Sequence, residues 1–152
     1  MALKFTSGQT QERMFTSARA FAGALSKLAE TLNADISQVY RRTILDVYND
    51  ITLRSPVDTG TYRASHGIAV GPEPSDGEGI HQIEGGAGIA RSYNDEVRMS
   101  FKWTIGKGTI WLYNNVPYAE ALERGHSGQA PEGVYALALQ ELATKLEQAL
   151  EE

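Results

Sequence analysis

The chain has 152 residues, 41% hydrophobic and 22% charged, which fits one ordinary globular domain with a core of its own. Its 14 basic and 19 acidic residues give a net charge of −5, against a surface built to wrap nucleic acid, although a small basic patch remains compatible. Cysteine is absent, so disulfides and thiolate metal sites are excluded.

MALKFTSGQT at the N-terminus lacks the apolar core of a secretory signal. No run approaches the roughly 18 apolar residues of a membrane span. The chain is therefore expected in a cytoplasm, or in a particle assembled there, without membrane contact. Residues 1–9 are expected to be frayed. From Thr10 the apolar positions Phe15, Ala18, Ala22, Leu25, Ala29 and Leu32 recur every three or four residues, as on one face of a helix. After Asn33-Ala34-Asp35 the phase resumes with Ile36, Val39, Tyr40, Ile44, Val47 and Ile51. This predicts two helices, 10–32 and 35–54, or one long kinked helix, ended by Pro56. The stripe reads chiefly as core, with part of it available to a neighbouring subunit.

SPVDTG (55–60) reads as a turn, with Asp58 accepting from an N–H two residues on and Gly60 supplying conformational freedom. A strand is predicted from Thr61 to Val70. Residues 71–90 contain six Gly, two Pro, four carboxylates and no Lys or Arg. That composition predicts a long mobile loop, with Glu73, Asp76, Glu78, Glu84, Ile80 and Ile83 as candidate partner contacts. Ile89 is grouped with those isoleucines. Val97, Met99, Phe101, Trp103 and Ile105 then alternate with polar residues, which predicts a strand over 96–105. A capping box from Ser92 to Asp95 would instead open a helix there. Gly106-Lys107-Gly108 is expected to close a hairpin onto Thr109–Tyr113.

Asn114 to Pro131 holds an unusual density of turn formers. Asn114 and Asn115 suit a turn, Pro117 a first helical position and Gly125 the residue just past a helix end. A short helix is expected over 118–124, and a final helix from Pro131 to Leu150 with Val134, Ala138, Leu142 and Leu146 inward. Strands grouped between helices predict an α+β domain: a small antiparallel sheet packed with long N-terminal helices and a C-terminal helix.

No motif for catalysis emerges. His66, His81 and His126 are too scattered for a metal site. Gly125-His126-Ser127-Gly128-Gln129 lacks the final Gly of a nucleophile elbow. Gly86-Ala87-Gly88-Ile89-Ala90-Arg91 places Arg where a dinucleotide fingerprint needs Gly or Ala. Asp58, Ser65 and His66 could be drawn as a triad, but neighbours on a strand face opposite ways, so they read as surface polar residues. Neither an enzyme nor a cofactor is expected.

Two blocks together resemble the tail-completion, or head–tail joining, proteins of long-tailed bacteriophages, the lambda-type minor tail proteins of the neck. One is SPVDTGTYRAS (55–65), with Pro56, Asp58, Thr59 and Gly60. The other is IWLYNNVPYAEALERGHSGQAPEGVY (110–135), with Asn115, Pro117, Tyr118, Glu123, Gly125, Gln129, Pro131 and Gly133. They cover about a quarter of the chain. Departures from the family pattern are Thr61-Tyr62-Arg63, where a bulky basic residue or Leu often follows the TG, and His66, where an aromatic is usual. The resemblance implies a structural virion protein of the neck, assembled in the host cytoplasm. It implies a ring, a hexamer in the virion and compatible with a monomer beforehand, between the tail terminator or tube protein and the head-closure or adaptor protein. DNA would pass through without sequence-specific binding. A tail terminator or head-closure protein is the near alternative, and a small hydrolase or an unrelated cytoplasmic adaptor the distant ones.

Overall fold

The computed structural model describes residues 2–5, 18–31, 35–104, 106–125, 127–130 and 132–151. Pro131, His126, Ile105 and Phe15 lie outside that set, as do the first turns of the predicted 10–32 helix.

Helix α1 (Ala18–Thr31) is followed by α2 (Ile36–Arg54). Asp35, in extended conformation, caps α2 by accepting from the Gln38 N–H at 3.2 Å. These are two helices, which decides between the alternatives the sequence left open. The α2 stripe is core: Ile44, Val47, Tyr48 and Ile51 are fully buried. Each such aliphatic side chain contributes roughly 1.5–3 kcal/mol on burial. The helix ends at Ser55, whose hydroxyl donates to the Ile51 carbonyl at 2.7 Å, just before Pro56. The C-terminal helix packs on both α1 and α2, and Arg54 pairs with its Glu141.

The sheet is antiparallel. Strand β3 (Ile110–Tyr113) lies between β1 (Ala2–Phe5) and β2 (Gly67–Val70), with Gly67 opposite Tyr113 and Val70 opposite Ile110. Ile110 and Leu112 turn into the helical layer and are 1% exposed. The architecture is thus the expected α+β class: among the described residues, six helices around a small antiparallel sheet.

Four local expectations are corrected. The frayed N-terminus includes β1, whose partner strand lies more than a hundred residues downstream. The strand over Thr61–Val70 is two elements. Thr61–Ala64 is a helical turn, α3, closed by Ala64 N–H to Gly60 carbonyl at 2.8 Å, and only Gly67–Val70 is strand. Over its described part, 96–104, the predicted 96–105 strand is instead the end of helix α4 (Gly86–Ser100) and an irregular segment after it, with Ile105 outside the described residues. Ala90, Asn94, Val97 and Phe101, spaced by four, three and four, form one helix face against the core, while Met99 is 82% exposed. The helix alternative was therefore the better reading, but α4 starts at Gly86, ahead of the Ser92–Asp95 box. Consequently Gly106-Lys107-Gly108 closes no hairpin: β3 pairs with β1 and β2.

The final helix, α6 (Tyr135–Glu151), begins four residues after the predicted start. The short helix α5 (Ala119–Glu123) is capped at Tyr118, so Pro117 precedes the cap and does not occupy the first turn. Gly125 follows the C-cap with φ 89°, as expected. No helix among the described residues is long and apolar enough to cross a membrane.

Candidate functional site

The two sequence blocks meet at one end of the sheet, held by side chains that bond to backbone. Gln129 does this across 72 residues. Its Oε1 accepts from the Val57 N–H at 3.0 Å and its Nε2 donates to the Val57 carbonyl at 3.2 Å. One amide side chain thus pairs with Val57 as a neighbouring strand would. Asn114, fully buried at the end of β3, donates to the Tyr62 carbonyl at 2.8 Å and accepts from the Val116 N–H at 3.2 Å.

Glu123 closes the second joint. Its Oε2 accepts from the N–H groups of Val134 and Tyr135 at 2.9 and 3.0 Å, and its Oε1 from Ala136 at 2.8 Å. Helix N-termini expose N–H groups that lack intrahelical partners, together with the positive end of the helix dipole. A carboxylate from α5 satisfies three of them at the start of α6. Gly133 lets the two approach: its φ is 86°, and a Cβ there would lie 2.5 Å from the Glu123 carbonyl oxygen.

At the centre sits His66, 1% exposed. Its Nε2 is 2.6 Å from Ser55 Oγ. Since Ser55 already donates to Ile51, its oxygen accepts here and Nε2 carries the proton. Nδ1 is then the acceptor, facing Tyr135 OH at 2.8 Å and Asn114 Nδ2 at 3.2 Å. Burial, then the nearby Arg63 charge, pushes the imidazole pKa down to about 3, so the ring is neutral. The His66 carbonyl accepts from Tyr48 OH at 2.8 Å. Burial pushes that phenol up to about 12 and holds Tyr135 well above its ordinary value. Tyr62 packs edge-on to His66, centroids 4.8 Å apart, and its buried hydroxyl lacks a partner among the described residues. With both ring nitrogens engaged inside the fold, His66 is a joint between α2, β3 and α6.

Ser65 and His66 are therefore not surface polar residues. Ser65 is fully buried, and its hydroxyl accepts from the His81 N–H at 2.9 Å. The missed signal was position: both sit between Ala64 and the apolar run Gly67–Val70. Asp58, in contrast, is exposed and caps nothing among the described residues; the Thr59 hydroxyl, 3.3 Å from the Thr61 N–H, takes the role assigned to it. Pro56 is half-buried, Pro117 exposed, and Tyr118 is 45% exposed against Tyr62. Gly60 is buried, left-handed at φ 97°, against the Gly86 carbonyl and the Ile83 side chain.

The acidic segment is tied to this junction. Asn115 Nδ2 donates to the carbonyls of Ser75 and Glu78 at 2.9 and 3.1 Å. Ile83 exchanges backbone bonds with the Thr61 hydroxyl, and Gly86 N–H reaches the Thr59 carbonyl at 2.8 Å. Residues 86–90, assigned to the loop, belong to α4. Ile80 and Ile83 are half-buried within the chain, Ile80 against the core, whereas Glu73, Asp76, Glu78 and Glu84 are exposed. Among the described residues no group of three or more His, Asp or Glu converges to hold a metal.

No protein-family model matches the chain, and neither a curated protein nor a solved structure matches it.

Proposed function

We propose that the chain is a tail-completion, or head–tail joining, protein of a long-tailed bacteriophage. It acts as a structural subunit, six copies forming a ring between the tail terminator or tube and the head-closure or adaptor ring. The observation that carries this reading is the meeting of the two blocks that resemble that family. Gln129 on Val57, Asn114 on Tyr62 and Glu123 on the start of α6 give the block residues a shared structural task. That task is to fix two loops and a helix end side by side, which suits a protein whose function is to present a rigid surface to neighbours. His66, locked neutral in the middle, suits the same role.

The test is a virion preparation from a phage whose copy of this gene is disrupted. Filled heads and complete tails should accumulate unjoined, and adding the purified chain should join them. Normal virions without the protein would refute the reading, and so would its absence from wild-type particles.

A further inference from the structure

Helix α4 has an open flank. Between it and α2 runs a groove of about 670 Å³ lined by Leu53, Arg63, Arg91, Asp95 and Arg98. It brings three guanidinium groups together against one carboxylate, in a chain whose net charge is −5. Arg98 is held by Asp95 and by Asn49 Oδ1 at 2.7 Å. Arg91 is exposed and makes no ion pair among the described residues. Arg63 donates to the carbonyls of Leu53 and Ser55, but its Nε has no acceptor among the described residues, and its pKa is lowered by burial and by the Arg91 charge beside it. Leu53, 70% exposed, adds an apolar wall. Under-neutralised arginines beside an exposed aliphatic suit a protein partner bearing carboxylates.

The same chain carries such a group of carboxylates. Glu73, Asp76, Glu78 and Glu84 are exposed on a segment without Lys or Arg, and none pairs with Arg63 or Arg91 within the chain. The segment is held by Asn115 and Thr61, so little conformational entropy remains to be lost when it docks.

We propose that the acidic segment 73–84 of one copy seats in the arginine groove between α2 and α4 of the next copy. Groove and segment are different patches, so the contact is heterologous and repeats around a ring when its rotation closes. The proposal rests on the ring reading above and names the contact that builds it. A DNA backbone would also match the arginines, but Leu53 and the acidic segment favour a second copy.

The test uses the purified full chain. Sedimentation across a concentration series should show assembly that weakens with salt. Arg91→Glu, and separately Glu73→Lys with Asp76→Lys, should each weaken it by about tenfold or more, and the combined variant should recover it. A mixture of heavy-isotope and light chains carrying Arg91→Lys, treated with a zero-length carbodiimide, should give cross-links from the new amine of one chain to carboxylates of the other. Wild-type assembly by Arg91→Glu, failure of the combined variant to recover, or cross-links only within a chain would overturn the contact. If that chain still joined heads to tails, the tail-completion reading would survive the loss. A chain monomeric under every condition, and within particles, overturns both. Loss of DNA retention by Arg91→Glu without change in assembly would reassign the groove to nucleic acid. Conversely, the expected cross-links from a protein absent from virions would keep the contact and refute the neck assignment.

Discussion

Removing the Glu123 carboxylate should uncouple α5 from α6. In Glu123→Ala, the N–H groups of Val134, Tyr135 and Ala136 lose their acceptor. Ala136 is exposed and can turn to water, but Val134 and Tyr135 are buried. A buried donor left without a partner costs about 1–3 kcal/mol, and losing the charge at the helix dipole about 0.3–1 kcal/mol more. Water reaching the cavity offsets part of this, so the expected loss is about 2–4 kcal/mol. For a domain of this size each kcal/mol shifts Tm by about 2–4 °C, so Tm should fall by roughly 4–16 °C. Glu123→Gln keeps one carbonyl oxygen and should lie between wild type and alanine. Urea melts of the three proteins, with calorimetry, measure this. A loss below about 0.5 kcal/mol for Glu123→Ala, the ordinary range for a surface change, would refute the capping argument.

Gln129→Ala removes both bonds to Val57 and should cost about 1 kcal/mol, with faster amide exchange at Val57; unchanged exchange there would mean that the pairing is not maintained in solution. Gly133→Ala combines a left-handed backbone with a Cβ 2.5 Å from the Glu123 carbonyl, and should destabilise by more than the roughly 1–2 kcal/mol of the dihedral alone, seen as a lower urea midpoint. Asp58→Ala should leave the urea midpoint unchanged, since Thr59 supplies the turn's hydrogen bond; a clear loss would restore Asp58 as the cap. His66, at about 3 in the fold and an ordinary 6.5 when unfolded, binds protons more readily in the unfolded chain. Its stabilising contribution is therefore complete above pH 6.5 and is lost as pH falls toward 3, by up to about 1.4 kcal/mol per pH unit. Between pH 5 and 6.5, above the carboxylate range, His66→Gln should flatten that slope, and an equal slope in both proteins would count against a neutral buried imidazole.

The elements that could be read in advance are those whose signals are local. Helix α2 has an unbroken stripe from Ile36 to Ile51, an acidic cap and a following proline, and it forms where expected. Ile110–Tyr113, within the predicted Thr109–Tyr113, is strand because alternate aromatic and aliphatic residues suit a pleated, half-buried surface. Helix α4 was hidden for the opposite reason. Its first turn carries Gly86 and Gly88, each unfavourable in a helix by about 1 kcal/mol, so propensity argued for loop. Val97 and Phe101 satisfy both period two and the four-residue helical spacing, and only contact with the core decides between them. Strand β1 was not legible because its partner is β3, and no local pattern encodes so distant a pairing. The His66 cluster failed in the same way: Ser55, Asn114 and Tyr135 are ordinary residues until the fold brings them to one ring.

The two blocks stood out as strings, yet their physical content lies in pairs that span them. Val57 contributes only its backbone, so almost any side chain there would serve Gln129 equally well. Gly133 is required because Glu123 packs over it, and Glu123 because three N–H groups of α6 face it. A substitution at either position alone leaves the other in a strained or unsatisfied site, which ties the residues together more tightly than their separate propensities would. Several exposed side chains carry no such coupling. Arg91, Met99, Glu73, Asp76 and Glu84 are exposed and can change with little effect on the fold. The buried joints hold the loops and helix ends in register, and under the proposed ring contact the exposed charges would face a neighbouring copy.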